Sequence, residues 1–323
     1  MKTIEDFQNY YENDLRPSLE ILDGERKSSL RNAGLAGTLI TFVILGVVGW
    51  MLTSGLPPTY MLFAAVGGGV LAFGAFVLFT KDFKSNFKNT IIRQVIAYVS
   101  EDLSYAPTGM ISRSEFQSST LFKNRIDRYK GEDLVDGKVG KTKIRFSELH
   151  AEYKTTTTDS KGHRHTTWHT IFKGLFFVAD FNKHFQGRTV VLPDSAEKFL
   201  GRLGKKLQEW NVSRDDLVKM EDVEFEKEFV VYGTDQIEAR YILSPALMRR
   251  ILEFKRKMKV PVHIGFVNAN LYMAMNIKKN MFEPRILRTI LDFDLVREYL
   301  EDVMLAVGIV EEMNLNTRIW TKE

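Results

Sequence analysis

The chain has 323 residues, 44% of them hydrophobic and 27% charged, with a formal net charge of +4 at pH 7 and a pI near 9.0. It contains no cysteine, which excludes disulfides, thiolate metal sites and cysteine nucleophiles. The mild basic excess gathers beside one apolar stretch, where anionic lipid headgroups are a simpler partner than nucleic acid.

That stretch runs from Asn32 to Thr80 without one Asp, Glu, Lys, Arg or His. Gly55-Leu56-Pro57-Pro58-Thr59 divides it, because two prolines beside a glycine do not continue a helix. The spacing predicts transmembrane helices over 33–54 and 60–80, each long enough to cross about 30 Å of hydrocarbon at roughly 1.5 Å per residue. Arg26, Lys27 and Arg31 precede the first span, and Lys81, Lys84, Lys88 and Arg93 follow the second. The turn carries no charge, so the positive-inside tendency puts both termini in the cytoplasm and the turn outside. Arg26, Lys27, Arg31, Lys81, Lys84 and Lys88 are the candidate lipid-headgroup contacts. Ala64, Gly68 and Ala72 form small-xxx-small pairs, which serve either packing of the two spans on each other or homo-oligomerisation. With no ionisable residue inside either span, the pair reads as an anchor rather than a transport path.

The flanks continue the helical pattern. Ile4, Phe7, Tyr11, Leu15, Leu19 and Leu22 mark an amphipathic extension over 3–30, and Phe83, Phe87, Ile91, Val95 and Val99 another over 82–104. The expectation is a helical anchor over 1–104 whose long antiparallel helices extend into the cytoplasm. A cytoplasmic α+β domain over 105–323 follows, with a possible division into two subdomains near 212–222.

In that domain, 134–139, 143–153, 170–181 and 189–192 read as strands, and Pro193-Asp194-Ser195 opens a helix through Phe199, Leu203 and Leu207. Residues 225–232 alternate as a strand, with 238–243 as its partner. Ser244-Pro245 starts a helix, since a capping hydroxyl precedes a ring whose missing N–H is not needed in the first turn. A hairpin over 260–267 and 271–277 and a helix from Asp294 complete the domain. The irregular mixture points to α+β rather than to a doubly wound sheet.

Candidate chemistry gathers at one polar tip. His163, His165 and His169 share a face if the segment is extended, and three imidazoles can bind a divalent transition metal. The bland alternative is an exposed, turn-rich hairpin tip. The same tip offers Thr157, His165 and Trp168 as a docking edge for a partner. Gly140-Lys141-Thr142 looks like the end of a phosphate-binding loop, but position 135 is Val and a strand follows instead of a helix. No nucleophile elbow, Ser-His-Asp ordering or dinucleotide glycine pattern is present.

Phe172-Lys173-Gly174-Leu175-Phe176-Phe177-Val178-Ala179-Asp180-Phe181-Asn182-Lys183 resembles the central signature of the bacterial domain of unknown function 3137 family. So does Phe225-Glu226-Lys227-Glu228-Phe229-Val230-Val231-Tyr232 with Asp235, Ala239, Arg240, Tyr241, Leu243 and Pro245. The resemblance implies a bacterial inner-membrane protein and a LemA-type membrane protein as partner, and it supplies no catalytic residues. The functional expectation is a membrane-tethered scaffold that recruits a protein partner. A metal-dependent enzyme using the histidine-rich hairpin and an anionic-lipid-binding domain are the alternatives.

Overall fold

The computed structural model describes residues 4–181, 185–194, 215–277 and 279–316. Two long helices come first, α1 (Ile4–Thr53) and α2 (Pro58–Val99), and both are long and apolar enough to cross a membrane. Leu35, Leu39, Phe42, Leu62, Phe63, Phe73 and Leu78 on them are all exposed. The chain reverses where the sequence requires it. Gly55 takes a left-handed conformation (φ +69°), and its N–H closes on the Leu52 carbonyl. Pro58 then opens α2, where its lost N–H costs nothing. A Cβ on Gly68 would lie 2.6 Å from Ile44 Cγ1, so this glycine lets α2 pass close to α1, as expected for packing between the two helices.

The described residues fall into two compact units. The helical unit holds Met1–Tyr98 and Phe282–Glu301. The charged ends of α1 and α2 widen into π-helical turns at Tyr11–Leu15 and Lys88–Ile92. Phe7 and Tyr10 meet Tyr98 at 5.1 and 4.6 Å between ring centroids. The segment 282–301 is bound there too. Tyr11 donates to the Leu291 carbonyl at 2.8 Å, Arg26 to the Ile286 carbonyl at 3.0 Å, and Phe87 packs edge-on against Tyr299.

The second unit, Val99–Met281 with Asp302–Glu323, is built on a nine-stranded sheet of order β1-β2-β3-β4-β9-β8-β5-β7-β6, all of its pairs antiparallel. Its strands are β1 (Leu103–Ala106), β2 (Arg128–Val139), β3 (Thr142–Thr158), β4 (Arg164–Asp180), β5 (Arg188–Pro193), β6 (Asp216–Val218), β7 (Phe229–Gly233), β8 (Val262–Val267) and β9 (Asn270–Met275). The helices are α3 (Arg113–Ser118), α4 (Val223–Glu228), α5 (Gln236–Ile242), α6 (Pro245–Met258) and α7 (Phe293–Glu312), the last of which begins in the helical unit. Leu175 to Ala179 on β4 are buried without alternation, so both sheet faces are covered there. One face carries Phe116, Phe172, Phe176, Ala151 and Tyr272 in a single apolar cluster.

Three expectations need correction. The helix over 82–104 ends at Val99, and Leu103–Ala106 joins the sheet opposite Gly137 to Leu134. Residues 225–228 are helical, because the Asp222 carboxylate accepts from the N–H groups of Glu224 and Phe225 and starts α4; only 229–233 form a strand. Residues 238–242 lie in α5 for the same reason, with Asp235 capping Ile237 and Glu238. Ser244 does cap α6, and β8 and β9 form the expected hairpin. The helix expected through Phe199, Leu203 and Leu207 lies outside the described residues.

Candidate functional site

The feature that stands out from the sheet is an arm made by the outer parts of β3 and β4. Their pairing runs continuously from Ile144↔Ala179 to Thr158↔Arg164, broken by one bulge between Ala151 and Glu152. On one side β2 accompanies β3 only as far as Arg128↔Glu152. On the other, β9 accompanies β4 only over 175–180. Beyond those limits neither strand pairs with a further strand among the described residues, the Lys154 N–H donates to the Asp127 carboxylate at 2.9 Å, and residues 154–168 are exposed throughout.

The turn at the tip is organised by Asp159. Its carboxylate accepts from the backbone N–H groups of Lys161 and His163 at 2.9 and 2.8 Å. The His163 and His165 rings approach it at 3.1 and 3.6 Å. The His163 N–H, foremost among these contacts, holds the Asp159 carboxyl below its usual range. Gly162, at φ +84°, completes the reversal.

The three histidines are not brought together. His163 sits in the turn. His165 and His169 do share a strand face, but they stand four positions apart, about 13 Å along a strand. His169 is engaged elsewhere, with Nε2 2.9 Å from Thr155 Oγ1 and its ring stacked on Tyr153 at 4.8 Å. Among the described residues no group of three or more His, Asp or Glu is placed to hold a metal ion. The proposed docking residues also divide: Thr157 lies opposite His165 on one face, while Trp168 projects from the other, with the Arg128 guanidinium 3.8 Å from its ring centroid. Arg128 is itself held by Glu152 at 3.1 Å.

At the base of the arm, on the Trp168 face, lies a cleft of about 490 Å³ that sequence reading missed. Its floor is a cross-strand row, Lys130↔His150↔Lys173, in register on β2, β3 and β4. Glu132 and Glu148 form the next row inward, and Lys279 and Asn280 line a wall. Glu148 accepts a hydrogen bond from the Met281 N–H, and Lys279 reaches Asp302 at 2.6 Å. The strand expected over 143–153 puts Glu148 and His150 on one face by its period of two. Nothing local revealed which residues of β2 and β4 stand beside them.

The family described as "Protein of unknown function (DUF3137)" matches residues 170–315. The match takes in the residues whose pattern resembles this family. The DUF3137 segment starts within β4, at the base of the arm, and takes in every later strand, but of the cleft lining only Lys173, Gly174, Ile277, Lys279 and Asn280. Searches of curated proteins and of solved structures gave no match. Within the DUF3137 signature, Gly174 has a structural cause. Its φ of +149° is a conformation side chains rarely adopt, and a Cβ there would run into the Met275 carbonyl and lie 2.6 Å from the Ile277 nitrogen. Asn182 and Lys183 lie outside the described residues.

The basic residues flanking the apolar stretch divide as well. Lys27 and Lys81 are exposed. Arg26 and Lys88, expected at lipid headgroups, are buried instead: Arg26 binds Asp23 at 2.8 Å and Lys88 binds Glu283 at 3.0 Å. Lys84 also reaches Glu283, at 3.0 Å. The cause is the segment 282–301, whose acidic and carbonyl groups draw these cations inward.

Proposed function

We propose that this protein is a membrane-tethered interaction module, with α1 and α2 crossing a bacterial inner membrane as a hairpin and the sheet unit recruiting a protein partner on the cytoplasmic side. The observation that carries the reading is the β3–β4 arm, a two-stranded projection with open edges and exposed Thr, His and Trp side chains. Open edges of this kind recruit an extended segment by backbone pairing. Support for the membrane part comes from the exposed apolar side chains of both helices, which water would not tolerate in such number. The uncharged Gly55–Thr59 turn supports cytoplasmic termini. The partner class is a small membrane-anchored helical protein of the LemA type, as the family resemblance implies.

The test is in-cell crosslinking, mild-detergent purification and mass spectrometry of the intact protein beside a variant lacking residues 156–167. Loss of a stoichiometric partner from the shortened protein, with unchanged thermal unfolding, is the expected result. Undiminished capture removes the arm from the mechanism.

A further inference from the structure

We propose that the cleft at the base of the arm binds a small molecule bearing two anionic groups, phosphate or carboxylate, through Lys130 and Lys173 on either side of His150. This site is independent of partner docking by the arm.

The first observation is the row itself. Residues directly opposite in neighbouring strands stand about 5 Å apart, and a cation in a sheet is ordinarily matched by a carboxylate at such a position. Here two lysines flank a histidine with no carboxylate interleaved in the row. The next row outward shows the ordinary solution, since Arg128 lies opposite Glu152 and is bound to it at 3.1 Å. Among the described residues neither Lys130 nor Lys173 has a carboxylate partner. Of the acids nearby, Glu148 accepts the Met281 N–H, and Asp302 holds Lys279.

The second observation is concavity. An exposed lysine row on a flat sheet is an ordinary solvated face, but this one floors a cleft of about 490 Å³. That volume lies within the range of small-molecule sites, roughly 300–1,000 Å³. Two strand spacings put the Lys130 and Lys173 backbones about 10 Å apart. Their flexible stems can then take the two ends of one dianion, or converge on a single polyanion above His150. Glu132 and Glu148, one row further in, repel an anion from the deeper part and confine its charged groups to the lysine row.

The probes are inorganic pyrophosphate and citrate, titrated calorimetrically into the full-length protein in an uncharged detergent at low salt. One probe is expected to bind with a dissociation constant at or below about 1 mM, and which one does so separates phosphate from carboxylate as the source. K130A/K173A should weaken binding at least tenfold, whereas Lys227→Ala, an exposed lysine far along the chain, should leave it unchanged. Binding should also fall steeply between 50 and 300 mM salt, on the order expected for screened charges. The two lysines are exposed, so the variants are expected to keep the parent's thermal unfolding curve. Absence of heat with both probes, or binding that survives K130A/K173A, overturns the proposal.

Discussion

Lys88 is buried on α2 with its ammonium 3.0 Å from Glu283, a residue 195 positions later that sequence periodicity assigns no role. Burial alone opposes ionisation of Glu283, yet Lys88 and Lys84 outweigh it and hold the carboxyl below its ordinary range. Removing one member of such a pair leaves an uncompensated charge, so Glu283→Ala should cost about 3 kcal/mol, the lower end for a buried pair because Glu283 is partly open. The readout is amide hydrogen exchange over 285–299, which should quicken in the variant. A depressed folded-state value also fixes the direction of the pH effect. The stability contributed by Glu283 is present above the unfolded value of about 4.3 and is lost as pH falls through the lower folded value. Protection over 285–299, corrected for intrinsic exchange, should therefore decline below about pH 4.3 in the parent and show less acid dependence in Glu283→Gln. At this scale sequence reading located the basic flanks but misread two of them. Charge beside an apolar span reveals that cations are needed; Asp23 stands three residues before Arg26 on the same helix, whereas Glu283 reaches Lys88 only through tertiary pairing.

Elements were legible where local chemistry and burial pointed the same way. Ser244-Pro245 starts α6 as expected, and Asn268 and Ala269 turn the β8–β9 hairpin with positive φ values of 51° and 58°. The failures at 225–228 and 238–242 share one cause. Short amphipathic segments with three or four apolar residues fit a period of two or of 3.6 almost equally well, and the deciding signal is the cap. Asp222 and Asp235 each precede a helix of six or seven residues whose first N–H groups they accept. Helices so short do not persist without their caps and packing. Asp235→Ala should accordingly cost about 1 kcal/mol, seen as a lower unfolding midpoint in urea with an unchanged slope. Asp235→Asn, which retains a capping oxygen, should recover most of the loss; a full loss in the Asn variant would show that charge rather than the cap matters. The arm was visible as a polar tip with its strands on either side. Its open edges were not, because an edge is defined by where neighbouring strands stop, at Glu152 and Leu175, and that is a property of β2 and β9.

At the scale of the whole chain, the uncharged stretch from Asn32 to Thr80 was enough to place two long apolar helices and the reversal between them. The sheet order was out of reach. β4 pairs with β9 and β5 with both β7 and β8, connections that close long loops and leave no trace in local periodicity. The proposed orientation of the helix pair rests on the same uncharged turn, and the lack of cysteine makes it directly testable, since any introduced thiol is the only one in the chain. Ser54 beside the turn and Thr157 in the arm are both exposed, so cysteine at either position is reachable from its own side of a membrane. In intact spheroplasts a membrane-impermeant maleimide should modify Ser54→Cys and leave Thr157→Cys untouched until the membrane is opened. Labelling of Thr157→Cys alone would invert the hairpin and place the arm and cleft outside the cytoplasm. Equal labelling of both variants in sealed spheroplasts would mean that α1 and α2 do not span the bilayer. In that case their exposed apolar side chains would have to be covered by another protein surface.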